Sequence, residues 1–239
     1  MLILTSWDDG HPKDLRLADL LIKYGLKATF FIPIENREGR EVLSASQIKL
    51  LDQNFEIAGH TLTHRYLQGL PEADLRYEIE GGKLALENIV GHDIHGFCYP
   101  GGKYDSKVIN AVKQAGFSYA RTVENLQFDL GHSAWAMPTS LQFYPHSALV
   151  LFKNIVKKPE LHKLQPLFMR LSERNFFKFL EKQLERISDS DAVFHLWGHS
   201  WEIEAFDLWK ELELFLSLLA QASNNSLTLF DAQLHYLNK

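Results

Sequence analysis

Short apolar runs alternate with longer amphipathic segments along the chain, and this alternation limits the possible folds more than any other feature. Seven runs are predicted strands: 2–6, 28–32, 55–58, 96–99, 119–122, 192–197 and 227–230. Helical patterns cover 14–24, 44–53, 71–88, 106–115, 146–157, 175–187 and 207–221. Because strands joined through helices run parallel, the pattern predicts an α/β fold, either an open doubly wound sheet or a closed barrel.

A single domain over 1–239 is predicted, because the 239 residues contain no fixed repeat, low-complexity tract or Pro/Gly-rich linker. The formal net charge is −5, and no basic stretch is present that would bind phosphates, so a nucleic-acid partner is not expected. The single cysteine, Cys98, excludes an intrachain disulfide.

The beginning of the chain has no pattern of a secretory signal. Its apolar run is only Leu2-Ile3-Leu4, whereas such a signal needs an apolar stretch of roughly 7–15 residues. No segment approaches the ~18 apolar residues of a membrane span. We therefore expect a cytoplasmic protein without an integral membrane segment.

Four clusters of polar and aromatic residues lie at the ends of predicted strands. They are Asp8-Asp9-Gly10, His60-Thr61-Leu62-Thr63-His64, residues 97–102 and residues 197–202. The carboxyl ends of parallel strands meet at one edge, where the active sites of α/β folds lie. We expect the four clusters to converge on one site.

His60 and His64 have the spacing i, i+4, which on a helical turn places both imidazoles on the same face and suits two ligands of one metal ion. The spacing alone is weak evidence, because 11 histidines placed at random give about 0.5 such pairs in a chain of this length. Two surface histidines are the alternative interpretation.

Asp8 and Asp9 form either an ordinary turn with Gly10 or a pair of carboxylates with different tasks. One carboxylate could bind a cation while the other stays free as a general base. Two histidines and one carboxylate leave room for water and substrate on zinc, and also suit cobalt, iron or manganese. His199 is the candidate for donating a proton to a departing nitrogen.

In this combination the sequence resembles the polysaccharide deacetylase (NodB-homology) family of carbohydrate esterases. The motifs of that family are an aromatic residue before Asp-Asp-Gly, His-(Ser/Thr)-x-x-His, an aromatic-rich proline turn, and a hydrophobic strand ending in histidine. They correspond in order to residues 7–10, 60–64 and 97–102 and to His199. The order and the approximate separations agree over about residues 2–230, and four motifs in order are specific.

The resemblance implies a distorted (β/α) barrel, TIM-like with fewer than eight complete units. It implies a hydrolase that removes N-acetyl groups from an amino sugar in a glycan or glycoconjugate precursor. Asp8 is then the catalytic base, His199 the general acid, and the backbone N–H of Gly101 an oxyanion donor. The implied metal ligands are Asp9, His60 and His64, with zinc as the expected divalent metal.

Three departures from the family pattern concern the surroundings of the base. Many members carry an arginine that pairs with the catalytic aspartate, and Cys98 stands at that position. Arg121, at the end of the next strand, either supplies this charge to Asp8 or is a surface arginine. The Asp-Trp motif four is absent, and Trp135 corresponds to it only loosely. Trp197 replaces a leucine, which predicts a narrower acetyl pocket or a different acyl group.

Predicted substrate contacts are Tyr99, Trp197, Trp201 and Glu202. For Trp201 and Glu202, ordinary surface packing is the equal alternative to a sugar platform. His195 lies in phase with His199 on its strand and is interpreted as a core histidine.

Two further functions remain open from the sequence. Allantoinase-like enzymes hydrolyse small cyclic amides on a related barrel, and the altered third motif leaves room for such a substrate. A non-catalytic carbohydrate-binding descendant is disfavoured, because the candidates for base, metal ligands and acid are all present.

Overall fold

The computed structural model describes residues 1–147, 149, 163–173, 175–188 and 190–236. The strands are β1 (Leu2–Asp8), β2 (Thr29–Ile32), β3 (Glu56–Gly59), β4 (Gly96–Cys98), β5 (Tyr119–Arg121), β6 (Leu141–Gln142), β7 (Val193–Gly198) and β8 (Ser226–Leu227). The helices are α1 (Asp14–Lys23), α2 (Ala45–Asp52), α3 (Glu72–Val90), α4 (Ser106–Gln114), α5 (Leu164–Ser172), α6 (Phe176–Ile187), α7 (Ser200–Ala205), α8 (Trp209–Ala222) and α9 (Leu229–Tyr236).

The strands form one parallel sheet in the order β5-β4-β3-β2-β1-β7-β6, and β8 pairs with β1. Its two ends approach each other. Met137 pairs with Arg121 of β5, and β6, a few residues further on, pairs with β7. The sheet therefore curls into a distorted barrel with fewer than eight βα units, which confirms the predicted fold class.

β1 lies at the centre of the molecule, and all seven of its residues are buried. Its register aligns Trp7 with Phe30 and Asp8 with Phe31, so the strand continues two residues beyond the predicted 2–6. Gly10 follows with a positive φ of 56°, and a Cβ there would lie 2.7 Å from Ile32 Cγ2. A glycine is thus required where the chain leaves β1 and turns over β2.

α3 runs unbroken through the Gly81-Gly82 pair at which the sequence pattern is interrupted. A Cβ on Gly82 would lie 2.8 Å from the carbonyl carbon of Thr61. The glycine therefore lets the helix approach the backbone of the histidine-bearing loop, which outweighs its lower helix propensity.

The prediction of a strand over 227–230 is wrong beyond Leu227, because α9 begins at Leu229. Thr228 Oγ1 accepts a hydrogen bond from the Asp231 N–H at 3.2 Å and so caps the first turn of the helix. The helix predicted over 146–157 lies outside the described residues, apart from 146, 147 and 149. Among the described helices, none combines the length and apolar character that crossing a bilayer demands.

Candidate active site

The two adjacent carboxylates at the end of β1 point to different partners. Asp8 is the last residue of the strand, and its carboxylate forms an ion pair with Arg121. Asp9 has a φ of 75°, in the left-handed region that non-glycine residues rarely adopt. This turn directs its carboxylate to the histidines instead, so the repulsion between neighbouring charges is relieved by separate partners.

Asp9, His60 and His64 form a buried cluster whose candidate ligand atoms all lie within 4.8 Å of one another. Asp9 Oδ1 is 3.1 Å from His64 Nε2 and 3.6 Å from His60 Nε2. Asp9 Oδ1 is fully buried and has no hydrogen-bond partner among the described residues. A carboxylate oxygen and two imidazole nitrogens converging in this way are a donor set that fits a divalent metal ion.

A backbone carbonyl orients the His60 ring, and a carboxylate lies near the His64 ring without a hydrogen bond to its Nδ1. His60 Nδ1 is 2.9 Å from the carbonyl oxygen of Cys98, so it carries the proton and leaves Nε2 free toward Asp9. His64 Nδ1 lies 3.5 Å from Glu38 Oε1. Metal-binding histidines commonly donate their second N–H to a carbonyl or carboxylate in this manner.

The cluster keeps Asp9 charged. Burial alone would raise the pKa of Asp9, but the adjacent imidazoles of His60 and His64 and the nearby His199 outweigh burial and hold this pKa below its usual range. A second group, Asp8, His60 and Cys98, also has converging ligand atoms. Burial raises the pKa of the Cys98 thiol well above its ordinary value, which disfavours the thiolate that metal binding needs.

Arg121 is completely buried and is not the surface arginine of the alternative interpretation. Its guanidinium lies between the rings of Phe31 and Trp197, at 4.9 and 5.0 Å from their centroids. Cys98 and Arg121 are aligned neighbours on β4 and β5. The chain therefore supplies the charge for Asp8 from one strand further along the sheet, while Cys98 fills the position of the family arginine.

Trp197 packs on Arg121 and is itself fixed by a hydrogen bond. Its indole N–H donates to Asn125 Oδ1 at 2.8 Å, and only 5% of the residue is exposed. The predicted contact between Trp197 and substrate is therefore limited to a small exposed edge. The larger role of its ring is to cover the guanidinium that holds Asp8.

His199 follows β7 at the start of α7, and its Nδ1 is 2.7 Å from Glu202 Oε2. Burial opposes the charged imidazole, but the hydrogen bond to Glu202 and the charges of Asp9 and Asp8 raise the pKa of His199 to about 9. The ring is therefore protonated at neutral pH. With Nδ1–H bound to Glu202, the Nε2–H remains available as an acid.

Glu202 was predicted to contact substrate, but its carboxylate is engaged within the protein. Besides His199, it accepts a hydrogen bond from Gln142 Nε2 at 3.1 Å, and Gln142 Oε1 is 2.8 Å from His146 Nε2. Glu202 thus orients His199 instead of a sugar. Its spacing of three residues from His199, at the third helical position, is a sequence signal that could have indicated this pairing.

Two more predicted substrate contacts also have internal roles. The Trp201 indole N–H donates to Asp9 Oδ2 at 2.9 Å, while Arg40 stacks on the ring at 4.2 Å. Tyr99 is fully buried, and its hydroxyl donates to the Trp135 carbonyl at 3.0 Å. The expectation that Tyr99 binds substrate is therefore wrong, since its side chain does not reach the site surface.

Gly101, the predicted oxyanion donor, lies on the exposed turn after β4 with a φ of 61°. Tyr66, just beyond His64, packs against this turn, because a Cβ on Gly101 would lie 2.8 Å from Tyr66 Cε1. The turn thus adjoins the histidine loop.

Sequence reasoning missed Glu38, Asn125 and Gln142, because nothing in their local pattern marks their distant partners.

His195 is a structural residue, in agreement with its interpretation as a core histidine. Its Nε2 is 2.8 Å from Ser6 Oγ, and its Nδ1 is 2.9 Å from the Pro138 carbonyl oxygen. Burial lowers the pKa of His195 to about 3, so the ring is neutral at physiological pH. It links β1, β7 and the segment that precedes β6.

The molecule is thus a parallel α/β barrel with a buried cluster of candidate metal ligands at the carboxyl ends of its strands. The polysaccharide deacetylase family model matches residues 1–120. The chain belongs to the polysaccharide deacetylase family, a family of hydrolases that act on C–N bonds in N-acetyl sugars. This confirms the resemblance on which the sequence-based roles depend.

Among curated proteins, the chain is similar to the peptidoglycan-N-acetylglucosamine deacetylase of Bacillus cereus. The two are 31% identical over 118 residues, which are 48% of this chain and 54% of that protein. The matched stretches span about half the length of the curated relatives, between 44% and 54% for the first three.

Solved structures show the same fold over nearly the whole chain. The family 4 esterase domain of a multidomain xylanase from the hindgut metagenome of Trinervitermes trinervoides has a TM-score of 0.60 and 15% identity, covering 100% of this chain and 93% of that one. A family 4 acetyl xylan esterase from Clostridium thermocellum, in complex with a cobalt ion, has a TM-score of 0.59 and 15% identity, with 98% and 90% covered.

Proposed function

We propose that the protein removes N-acetyl groups from an amino sugar in a glycan or glycoconjugate precursor, using a divalent metal ion. One observation carries this proposal: a buried Asp9–His60–His64 cluster lies beside a second carboxylate, Asp8, which Arg121 holds. Such a pairing provides a cation site and a separate base.

Asp9, His60 and His64 would hold the metal ion, with zinc as the first candidate. When bound, a divalent ion supplies Lewis acidity, which lowers the pKa of water and polarises a carbonyl oxygen. The buried oxygen of Asp9 that has no hydrogen-bond partner among the described residues and the orientation of the His60 imidazole support this assignment.

Asp8 acts as the general base on the attacking water. The Arg121 guanidinium binds Asp8 Oδ1 and fixes the position of the carboxylate, while among the described residues Oδ2 has only the weak contact of the Cys98 thiol at 3.9 Å. Oδ2 is therefore the oxygen that accepts the proton. Arg121 is a positioning residue, because its contact is with Asp8 and not with the reacting atoms.

His199 acts as the general acid on the departing sugar nitrogen. Its Nε2–H is the proton to be given, and Glu202 keeps the imidazolium formed and oriented through Nδ1. The Gly101 N–H is proposed to stabilise the oxyanion, a contribution worth roughly 3–4 kcal/mol of barrier in other hydrolases.

The names of the similar proteins support the reaction class. The Bacillus cereus relative is a peptidoglycan-N-acetylglucosamine deacetylase, and the Clostridium thermocellum structure contains a cobalt ion. The latter is an acetyl xylan esterase, so an O-acetyl sugar is the second substrate class to test. The cytoplasmic location stays a prediction.

Acetate release from defined substrates tests the proposal. The zinc-loaded protein is incubated with N-acetylglucosamine oligomers, lipid- and nucleotide-linked N-acetyl sugars, O-acetylated xylan and a ureide panel. We expect acetate from the N-acetyl sugars and none with the Asp8→Asn variant. Turnover of ureides without acetate release would favour the cyclic-amide function, and no turnover with metal bound would contradict the proposal.

A further inference from the structure

A recess with a volume of about 300 Å³ lies directly beside the candidate metal cluster. Its walls are formed by Arg37, Glu38, His64, Arg65 and Tyr66. Because His64 belongs both to this recess and to the metal cluster, a group bound in the recess would adjoin the acetamido group at the cluster.

The walls of the recess carry an excess of positive charge. Arg37 is exposed, and its guanidinium makes no ion pair or hydrogen bond with any residue that the structure describes. Glu38, the one acid in the walls, already contacts His64 and binds Arg40. The walls therefore contain two guanidiniums, those of Arg37 and Arg65, and one carboxylate, that of Glu38, which already has partners.

Arg65 is only partly neutralised from outside the recess. Its Nη1 is 3.1 Å from Asp74 Oδ2, and Asp74 is not among the wall residues. A guanidinium has five donors in a planar fork, so this contact leaves others available.

Tyr66 joins the recess to the turn that carries the proposed oxyanion donor. It is 45% exposed, it contacts Gly101, and Lys103 Nζ lies 4.2 Å from its ring centroid. Lys103 thus places a third cation beside Tyr66, one of the wall residues of the recess. Neutral sugars gain little from such a set of charges, whereas oxyanions gain a charge-assisted hydrogen bond from each donor.

We propose that this recess binds a carboxylate or phosphate group on the sugar next to the N-acetylated one. The substrate is then an anionic glycan and not a neutral N-acetylglucosamine polymer. The planar guanidinium of Arg37 matches the geometry of either oxyanion with two parallel hydrogen bonds. This inference rests on the proposed deacetylase function, and it specifies the substrate class of the same site.

The experiment compares substrates of equal length that differ in charge. One is a neutral N-acetylglucosamine oligomer, the second carries a carboxylate on alternate sugars, and the third carries a phosphate there. We expect kcat/KM to be about tenfold higher for at least one anionic substrate, and the preference to shrink as ionic strength rises. Which anionic substrate is preferred distinguishes the two sources of the oxyanion.

Arg37→Gln is the decisive variant, and Lys49→Gln, at an exposed position on α2, is the control that removes the same charge elsewhere. We expect the ratio of kcat/KM between anionic and neutral substrates to fall about tenfold in Arg37→Gln, with the loss in KM. The ratio should be unchanged in Lys49→Gln.

Equal kcat/KM for all three oligomers, or an unchanged ratio in Arg37→Gln, would overturn the proposal that the recess binds an anion. Acetate release in the same assays would still support the deacetylase function. Acetate release from none of them would contradict the deacetylase function instead. Calorimetric titration of the same three oligomers then decides the inference alone: tighter anionic binding that Arg37→Gln abolishes supports it, and equal binding overturns it.

Discussion

Each end of the barrel contains a carboxyl group that is shielded from solvent, almost fully for Asp9 and partly for Glu56, but the partners of the two groups differ. At the carboxyl end of the strands, Asp9 is held by two histidines, and its pKa is lowered. At the opposite end, burial raises the pKa of Glu56 to about 7, because its hydrogen-bond donors are neutral.

The donors to Glu56 come from three different elements. They are the Thr29 hydroxyl at 2.6 Å, the Tyr119 hydroxyl at 2.7 Å and the Phe230 N–H at 3.2 Å. Through them Glu56 ties β2 and β5 to the first turn of α9. Burial raises the pKa at both ends, so the partners decide the charge: imidazoles keep the Asp9 carboxylate charged at one end, and neutral hydroxyl and amide groups bind Glu56 at the other.

The largest effect is expected from substitutions at the carboxyl end of the strands, where the base and the metal ligands lie. Asp8→Asn should reduce kcat by at least about 10³-fold, because the base is lost, while the metal content is retained. His60→Ala should lose the metal itself. Elemental analysis of both purified variants, together with acetate release, checks this, and equal metal loss from both would mean that the roles of Asp8 and Asp9 are interchanged.

The next largest effect concerns Arg121, whose guanidinium forms an ion pair with Asp8. Arg121→Met should lower kcat by about 10²-fold and destabilise the fold by about 3 kcal/mol, since it leaves a buried carboxylate without its cation. Chemical denaturation and steady-state kinetics measure the two losses. Arg121→Lys should recover part of each, and unchanged kinetics in Arg121→Met would reduce the residue to a packing role.

At the opposite end, Glu56 should make the free energy of unfolding depend on pH. The pKa of Glu56 is about 7 in the folded protein against 4.5 as its ordinary value, so the unfolded chain loses this proton first as pH rises. The free energy of unfolding should therefore fall between about pH 4.5 and 7, by about 3 kcal/mol from this group.

Glu56→Gln removes that titration and should flatten the fall, whereas the exposed Glu72→Gln should not. Urea denaturation at pH 5 and pH 8 compares the two variants with the native protein. An unchanged pH dependence in Glu56→Gln would show that this end of the barrel does not titrate in that range.

A smaller effect sharpens the role of Glu202. Because Glu202, together with the charges of Asp9 and Asp8, raises the pKa of His199 to about 9, activity should persist to about that pH and fall above it. Glu202→Gln should move this alkaline limb of the kcat profile down by about one pH unit, toward the ordinary histidine value. Glu204→Gln, on the same helix but paired with Lys13, should leave the limb in place.

The parts of the site that could be predicted are short motifs of neighbouring residues that directly follow a predicted strand. Asp8-Asp9-Gly10, the histidine pair and His199 follow strands whose apolar pattern is clear, so parallel pairing brings them to one edge. The partnership of Asp8 with Arg121, 113 residues apart, could be predicted only as one of two alternatives, because it depends on the register between β4 and β5.

Errors in the fold and site have the same origin in longer-range contacts. The apolar run at 227–230 has the composition of a strand, yet Thr228 starts a helix there, and Thr29 and Glu56 bind the first N–H groups of that helix. Trp201 and Glu202 are predicted to contact substrate because aromatic and acidic side chains suit sugars, with surface packing as the alternative. The structure instead pairs them with Asp9 and His199, which no local pattern indicates for Trp201.

The left-handed turn at Asp9 is repeated at the histidine loop, where Thr61 and His64 also have positive φ values of 67° and 57°. Each such residue costs on the order of 1–3 kcal/mol relative to relaxed backbone, and glycine would remove that cost. A search for thermostable variants would therefore favour glycine at positions 9 and 64, at the expense of two candidate metal ligands. Screening for heat resistance and screening for activity should consequently select opposite residues there.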